Sequence, residues 1–337
     1  MSGPRLKDVR SQSNRWGCGG EGGHNDCGSL HVTGVSHGND PLRHDDPWQP
    51  NELTALFLEI TPEVNMNYTN FGRKLFSFNP KIYRIARSIR LISGSFLPPI
   101  NLSGIPGRIH LNDYTLGGRD TASAASYAEI GLTMTSNILS ALEHNGLNIY
   151  DSEPILEIGC NYGRISRHFA NIVTPGKFHV SDTLPEAVNF CAKEFGAIGW
   201  PKITDNRFKP KEQFGLVFLI SVFTHLNDDN IIDIIMSIKK HIKKGGVLIF
   251  TTHGMAAVHE SFANNGYIKN KNYIERAFSE KKSHYVKYKH YSDDIGMSWH
   301  HPEYIRKLLE KCGGFKESLF FPAILGHQDM FSFVKIC

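Results

Sequence analysis

From residue 151 onward, short apolar runs alternate with stretches whose apolar residues recur at helical spacing, the pattern of successive βαβ units around a parallel sheet. Residues 154–158 read as a strand, 163–173 as a helix with Ile165, Phe169 and Ile172 inward, and 177–181 as a second strand. Thr183-x-x-Glu186 has capping-box spacing and opens a helix in which Val188, Cys191, Ala192 and Phe195 share a face. The run at 215–221 is apolar throughout, as in a strand buried on both faces. Residues 227–244 carry agreeing helix signals: Asp228 and Asp229 in the first turn, Ile231, Ile235, Ile238 and Ile242 on one side, lysines in the last turn, and Gly245-Gly246 as the stop. A strand at 247–252 and a helix at 302–312 follow, and strands at 318–321 and 330–336 form an antiparallel pair that closes the sheet. Residues 269–291 are rich in Lys, Tyr and His and show no clean period.

Upstream, a helix is expected over 122–143, preceded by breaks at Pro98-Pro99 and in the glycine-bearing stretch 103–118. Residues 81–92 place Ile82, Ile85, Ala86, Ile89 and Ile92 on one helical face, with Lys81, Arg84, Arg87 and Arg90 mainly elsewhere. Such a basic amphipathic helix packs on a domain with a solvated charged face or makes a peripheral membrane contact. Residues 1–50, rich in Gly, His, Asn and Asp, hold too little apolar surface to offset their ordering entropy. The expected division is a disordered tail over 1–50, a helical lead-in over 51–150 and one α/β domain over 151–337.

Charge alters this picture little. The 337 residues carry 37 Lys+Arg against 33 Asp+Glu, a net +4 without the concentrated basic face of a nucleic-acid binder, so no nucleic-acid partner is expected. The longest apolar-rich run, 214–223, is far short of a membrane span, and the first thirty residues hold no apolar signal core. Six scattered cysteines suit a reducing compartment, so a cytoplasmic protein is expected. Cys18, His24, Cys27 and His31 match no zinc spacing, and no metal site is expected.

The candidate chemistry centres on residues 155–164, Ile-Leu-Glu-Ile-Gly-Cys-Asn-Tyr-Gly-Arg, where a strand runs into a glycine-bearing turn and a helix. The Gly-x-Gly-x-x-Gly spacing of a dinucleotide site is missing. Glu157-x-Gly159-x-x-x-Gly163 stands instead, and here the chain resembles the first motif of class I S-adenosylmethionine-dependent methyltransferases. Ser221-Val-Phe-Thr-His-Leu226, Thr251-Thr-His-Gly254 and His327-Gln-Asp329 extend the resemblance to a bacterial small-molecule and glycan subgroup. Two departures stand out: Asn161 where glycine is common, and Gly215 where an Asp usually precedes the fourth strand.

The resemblance implies a Rossmann-like, doubly wound, mostly parallel seven-stranded sheet with an antiparallel C-terminal strand and a helical N-terminal extension. It also implies S-adenosyl-L-methionine as cofactor, met by Glu157, Gly159, Cys160, Asn161 and Gly163 of the turn. Further contacts would come from Asp182 and Thr183 after the second strand, Asp205 and Asn206 after the third, Ser221 and Val222 after the fourth, and Tyr127 from the lead-in. Gly159 would let backbone approach the ligand without a Cβ, and Glu157 would set negative charge near its ammonium group. Asp182 would accept from both ribose hydroxyls; the same carboxylate also suits NAD, or a helix entry beside Thr183. His253 and then His327 are the candidate general bases, with His225 packing beside the cofactor loop. Each imidazole has the ordinary alternative of a histidine bonded to backbone.

The expected reaction is methyl transfer to a hydroxyl of a small-molecule or glycan acceptor. The alternatives are an NAD(P)-dependent oxidoreductase or epimerase, and a non-catalytic protein of the same fold. The chain contains no phosphate loop, nucleophile elbow or zinc helix. Ser221-Val-Phe-Thr also replaces the Asn-Pro-Pro-Tyr type of nucleic-acid amino-methylating enzymes.

Overall fold

The computed structural model describes residues 106–110, 112–116, 121–259, 272–288 and 295–337. The expected tail at 1–50 with its cysteines, the basic helix at 81–92 and the break at Pro98-Pro99 lie outside the described residues. Among the described residues one sheet is built from β1 (Ile155–Ile158), β2 (Phe178–Ser181), β3 (Ile198–Trp200), β4 (Phe214–Leu219), β5 (Ile242–His253), β6 (Ser283–Lys287), β7 (Gly296–His300), β8 (Phe315–Ile324) and β9 (Gln328–Lys335). The helices are α1 (Thr121–His144), α2 (Ser166–Phe169), α3 (Pro185–Phe195), α4 (Asp228–Lys239), α5 (Met255–His259), α6 (Asn272–Ser279) and α7 (Pro302–Cys312).

The first five strands are parallel in the order β3-β2-β1-β4-β5. β9 runs antiparallel along the far edge of β5, with Val247 opposite Val334 and His253 opposite Gln328. β8 is antiparallel to β9 and therefore points the same way as β5. These seven strands match the mostly parallel sheet with one antiparallel C-terminal strand that the resemblance implies, and β6 and β7 extend it to nine. Alternate residues of β5 feed two cores. Val247 and Ile249 join Ile130, Met134 and Ile138 of α1 and Val188 and Cys191 of α3. Leu248 and Phe250 join Ile231, Ile235 and Ile238 of α4 and Ile305, Leu308 and Leu309 of α7. Helices on both faces leave the carboxyl ends of the parallel strands as the open edge, where sheets of this type take ligands.

Several boundaries differ from the pattern. The helix expected over 163–173 shrinks to α2, because Gly163 takes φ +84° and leaves the helical region. The Thr183 capping box does not form. Pro185 occupies the first helical turn, Leu184 is the N-cap, and the Asp182 carboxylate accepts from Leu184 N at 3.0 Å. The helix after Asn227 stops at Lys239, and Gly245-Gly246 falls inside β5 rather than ending a helix. The stop comes from a distant residue: Lys335 Nζ donates to the carbonyls of Lys239 and Ile242, at 2.8 and 2.6 Å. Gly215 also finds its reason, since a Cβ there would lie 2.4 Å from Ser152 O, leaving no room for the usual Asp.

The segment without a clean period contains α6 and the β6–β7 hairpin. β7 joins β5 in parallel, with Trp299 opposite His253. β4 pairs only as far as Phe250 of β5, and β9 holds the other edge, so β7 fills the slot beyond the end of β4. The hairpin thus stands at the open edge and brings its own small core of Ile274, Phe278, Met297 and Trp299.

Candidate active site

β1 ends at the glycine turn, which is drawn to β2 by a hydrogen bond from Gly159 N to Ser181 O at 2.8 Å. Gly159 has φ +79°, and a Cβ on it would lie 2.4 Å from Val222 Cγ2, so the turn and the loop after β4 touch across this position. Asn161 is left-handed at φ +43°, a conformation Asn tolerates better than most residues, and Gly163 N closes the turn on Cys160 O at 2.9 Å.

Asp182 stands at the end of β2. Its Oδ2 accepts from Asn161 N at 2.8 Å, and its Oδ1 accepts from Leu184 N. Thr183 Oγ1, on an exposed residue, lies a looser 3.4 Å away. Burial raises the Asp182 carboxyl above its ordinary range in spite of these bonds. A carboxylate offers about four lone-pair directions, so with these three donors engaged roughly one, on Oδ2, is left for a ligand hydroxyl, and a second on Oδ1 if Thr183 Oγ1 turns away.

Glu157 departs from its expected role. Its carboxyl is buried inside the sheet, accepts from Ser166 Oγ at 2.5 Å, and is pushed up to about 8 by desolvation. At neutral pH without a ligand cation it is the neutral acid rather than an open anion. Cys160 is buried, and burial likewise pushes its thiol up. The buried Tyr127 hydroxyl donates to Asp113 Oδ2 at 2.6 Å and receives Arg167 Nη2 at 3.1 Å. Asp205 is gripped by Arg207, at 2.7 Å, and Asn206 is exposed; among the described residues no hydrogen bond ties either to the glycine turn.

Across the edge, Ser221 is left-handed at φ +58°, a strained choice for a residue with a Cβ, and donates its N–H to Thr251 Oγ1 at 2.8 Å. Gln328 Nε2 reaches Ser221 Oγ at 2.8 Å and lies 3.3 Å from His327 Nε2. The His253 ring centroid is 6.0 Å from that of His327 and 6.5 Å from that of His225. His253 Nδ1 donates to Ser298 O at 3.1 Å and His327 Nδ1 to Leu325 O at 2.8 Å. A carbonyl only accepts, so in both neutral rings the proton is on Nδ1 and Nε2 carries the lone pair. His225 Nδ1 lies 3.1 Å from both Gly296 O and Tyr288 OH, which ties it to the β6–β7 hairpin.

Two polar groupings therefore sit at one edge: the turn with Asp182, and the Ser221, Gln328, His253 and His327 group at the ends of β4, β5 and β9. The sequence reading missed Asp113, Ser166, Thr251 and Gln328 as partners. Gln328 lay in plain view between His327 and Asp329, whereas nothing local marks Asp113.

The features that bear on a ligand are a left-handed glycine turn closed against the loop after β4, the Asp182 carboxylate at the end of β2, and the buried Glu157 carboxyl behind them. They fit a nucleoside joined to an amino acid. Residues 156–248 match a family model described as a methyltransferase domain. Over those 93 of 337 residues the chain is similar to a methyltransferase domain. That similarity favours the methyltransferase reading of the turn over the dinucleotide one. No curated protein matches the chain in sequence.

Solved structures resemble the domain only slightly. A methyltransferase dependent on S-adenosylmethionine, from Clostridium acetobutylicum, has a TM-score of 0.42 at 13% identity over 61% of this chain and 92% of that one. A glycopeptide N-methyltransferase complexed with S-adenosylhomocysteine has 0.42 at 12%, over 65% and 99%. A magnesium protoporphyrin IX methyltransferase from Synechocystis, with S-adenosylhomocysteine bound, has 0.39 at 12%, over 65% and 89%. Among the described residues no helix is long and apolar enough to cross a membrane.

Proposed function

We propose that this chain methylates a hydroxyl of a small-molecule or glycan acceptor, as the bacterial subgroup with the Ser221–Leu226, Thr251–Gly254 and His327–Asp329 motifs would, with His253 as the general base. The observation that carries the reading is the Nδ1 bond of His253 to Ser298 O, which fixes the tautomer with the lone pair on Nε2, an atom buried at the carboxyl end of β5.

S-Adenosylmethionine, when bound, supplies a methyl group on a positively charged sulfur. The chain's own residues do the rest. Gly159 lets the turn close against the loop after β4, Asp182 offers an acceptor to a ribose, and Asn161 holds its N–H on Asp182. Glu157 is expected to lose its proton when an ammonium group comes against it. His253 would accept the acceptor hydroxyl's proton on Nε2 as the oxygen attacks, and Ser298 O would stabilise the resulting imidazolium through Nδ1. The β6–β7 hairpin pairs with the end of β5 beside His253.

Asp182→Ala removes two charge-assisted acceptors, each worth on the order of 1.5–3 kcal/mol. Calorimetric titration with S-adenosylhomocysteine should show affinity falling by about 100-fold or more; an unchanged Kd would count against the donor site. His253→Ala should lower kcat by about 10² to 10⁴-fold while leaving that affinity alone. It should also flatten the acid limb of the kcat–pH profile, and a variant that keeps the limb would remove His253 as the base.

A further inference from the structure

Asn161 occupies the left-handed position of the turn, φ +43°, with a side chain present. That side chain is fastened from the lead-in, since Asn161 Nδ2 donates to Asp113 Oδ1 at 3.0 Å. Asp113 is buried and is itself held. Its Oδ1 accepts from Thr115 N and Oγ1, at 3.1 and 2.6 Å, and its Oδ2 accepts from Tyr127 OH. A carboxylate only accepts, so the amide must face it with nitrogen. Asn161 Oδ1 is then left buried, with no hydrogen-bond partner among the described residues.

The backbone of the same residue is equally engaged. Asn161 N donates to Asp182 Oδ2, and Asn161 O accepts from Cys191 Sγ at 3.4 Å. Any rotation about Asn161 therefore moves the N–H that aims Asp182. Glycine at this place would reach the left-handed region without help, whereas asparagine needs its side chain anchored to remain there at little cost. The turn lies in the methyltransferase domain and its anchor lies 48 positions upstream.

We propose that Asp113 is a positioning residue of the donor site. It locks Asn161 in the left-handed conformation and so keeps Asp182 aimed at the ligand. It also leaves Asn161 Oδ1 as a buried acceptor open to a ligand N–H or O–H. The inference rests on the turn being the donor site.

The test is a double-mutant cycle read by calorimetry with S-adenosylhomocysteine, with thermal unfolding followed alongside. Asp113→Ala should weaken binding by about 10-fold or more in the wild-type background, and by less than about 3-fold in the Asn161→Gly background, where no amide remains to be held. Equal losses in both backgrounds, or no loss in either, would overturn the proposal.

A second pair of variants covers the case in which Asp113→Ala does not fold. Asn161→Asp sets two carboxylates against each other and should cost about 10-fold or more in affinity, whereas Asn161→Gly, which needs no anchor to stay left-handed, should stay within about 3-fold of wild type. An Asn161→Asp protein that binds as wild type does would overturn the proposal. A wild-type protein that does not bind S-adenosylhomocysteine would overturn both this inference and the proposed function, while binding without coupling overturns this one alone.

Discussion

Gly159→Val is expected to abolish measurable binding of S-adenosylhomocysteine and to lower Tm. Two costs combine at this position. A β-branched residue at φ +79° sits where L side chains are disfavoured by roughly 1–2 kcal/mol or more. Its Cβ would also lie 2.4 Å from Val222 Cγ2, so the loop after β4 would have to withdraw. The milder Gly159→Ala separates the two. Combined with Val222→Ala, it relieves the overlap but not the backbone strain, so the pair should recover part of the Tm lost in Gly159→Ala. No recovery would mean that the overlap carries none of the cost.

Glu157→Gln is expected to act in opposite directions on stability and on binding. The folded carboxyl titrates at about 8, above its unfolded value, so the unfolded chain releases this proton first as pH rises. The group's contribution to stability is full below the unfolded value near 4.5 and is lost as pH climbs through 8. Glutamine stays neutral and keeps an oxygen for Ser166 Oγ. The variant should therefore unfold with wild type at pH 4.5, and at pH 8 be more stable by a few kcal/mol, roughly 5–10 °C in Tm. Binding should change the other way. Wild type should bind S-adenosylhomocysteine more tightly as pH rises from 6 to 8 and release a proton on binding, visible as a dependence of calorimetric heat on buffer. Glu157→Gln should bind more weakly, without the proton release. Proton release that persists in the variant would place the titrating group elsewhere.

Much of the fold was legible because its signals are local. The apolar strand at β4, the Asn227 cap whose side chain accepts from Asn230 N at 2.9 Å, and the β1 turn each lie within a dozen residues of sequence. What escaped depends on distant partners. The end of α4 is set by Lys335, and β7 is a strand because an edge of β5 lies vacant beyond β4. The same division holds for the site. Gly159, Asn161 and Asp182 come together as the spacing suggested, while the anchoring of Asn161 by Asp113 has no motif to announce it. The protonation of Glu157 depends on its burial, which the sequence does not give. Arg207 next door holds Asp205, a contact that accounts for that Asp without a ligand.

β9 follows every other described strand along the chain, yet it lies inside the sheet between β5 and β8. During synthesis the ribosome must release everything through about residue 335 before the edge of β5 can be covered. Until then the apolar flank of β5, with Leu248 and Phe250, is an open template for pairing with another chain. Gln328 and His327 reach the site with that same strand. A nascent chain that has completed its donor turn would therefore still be unable to assemble the proposed acceptor side, so both sheet closure and the proposed site wait for β9 to emerge.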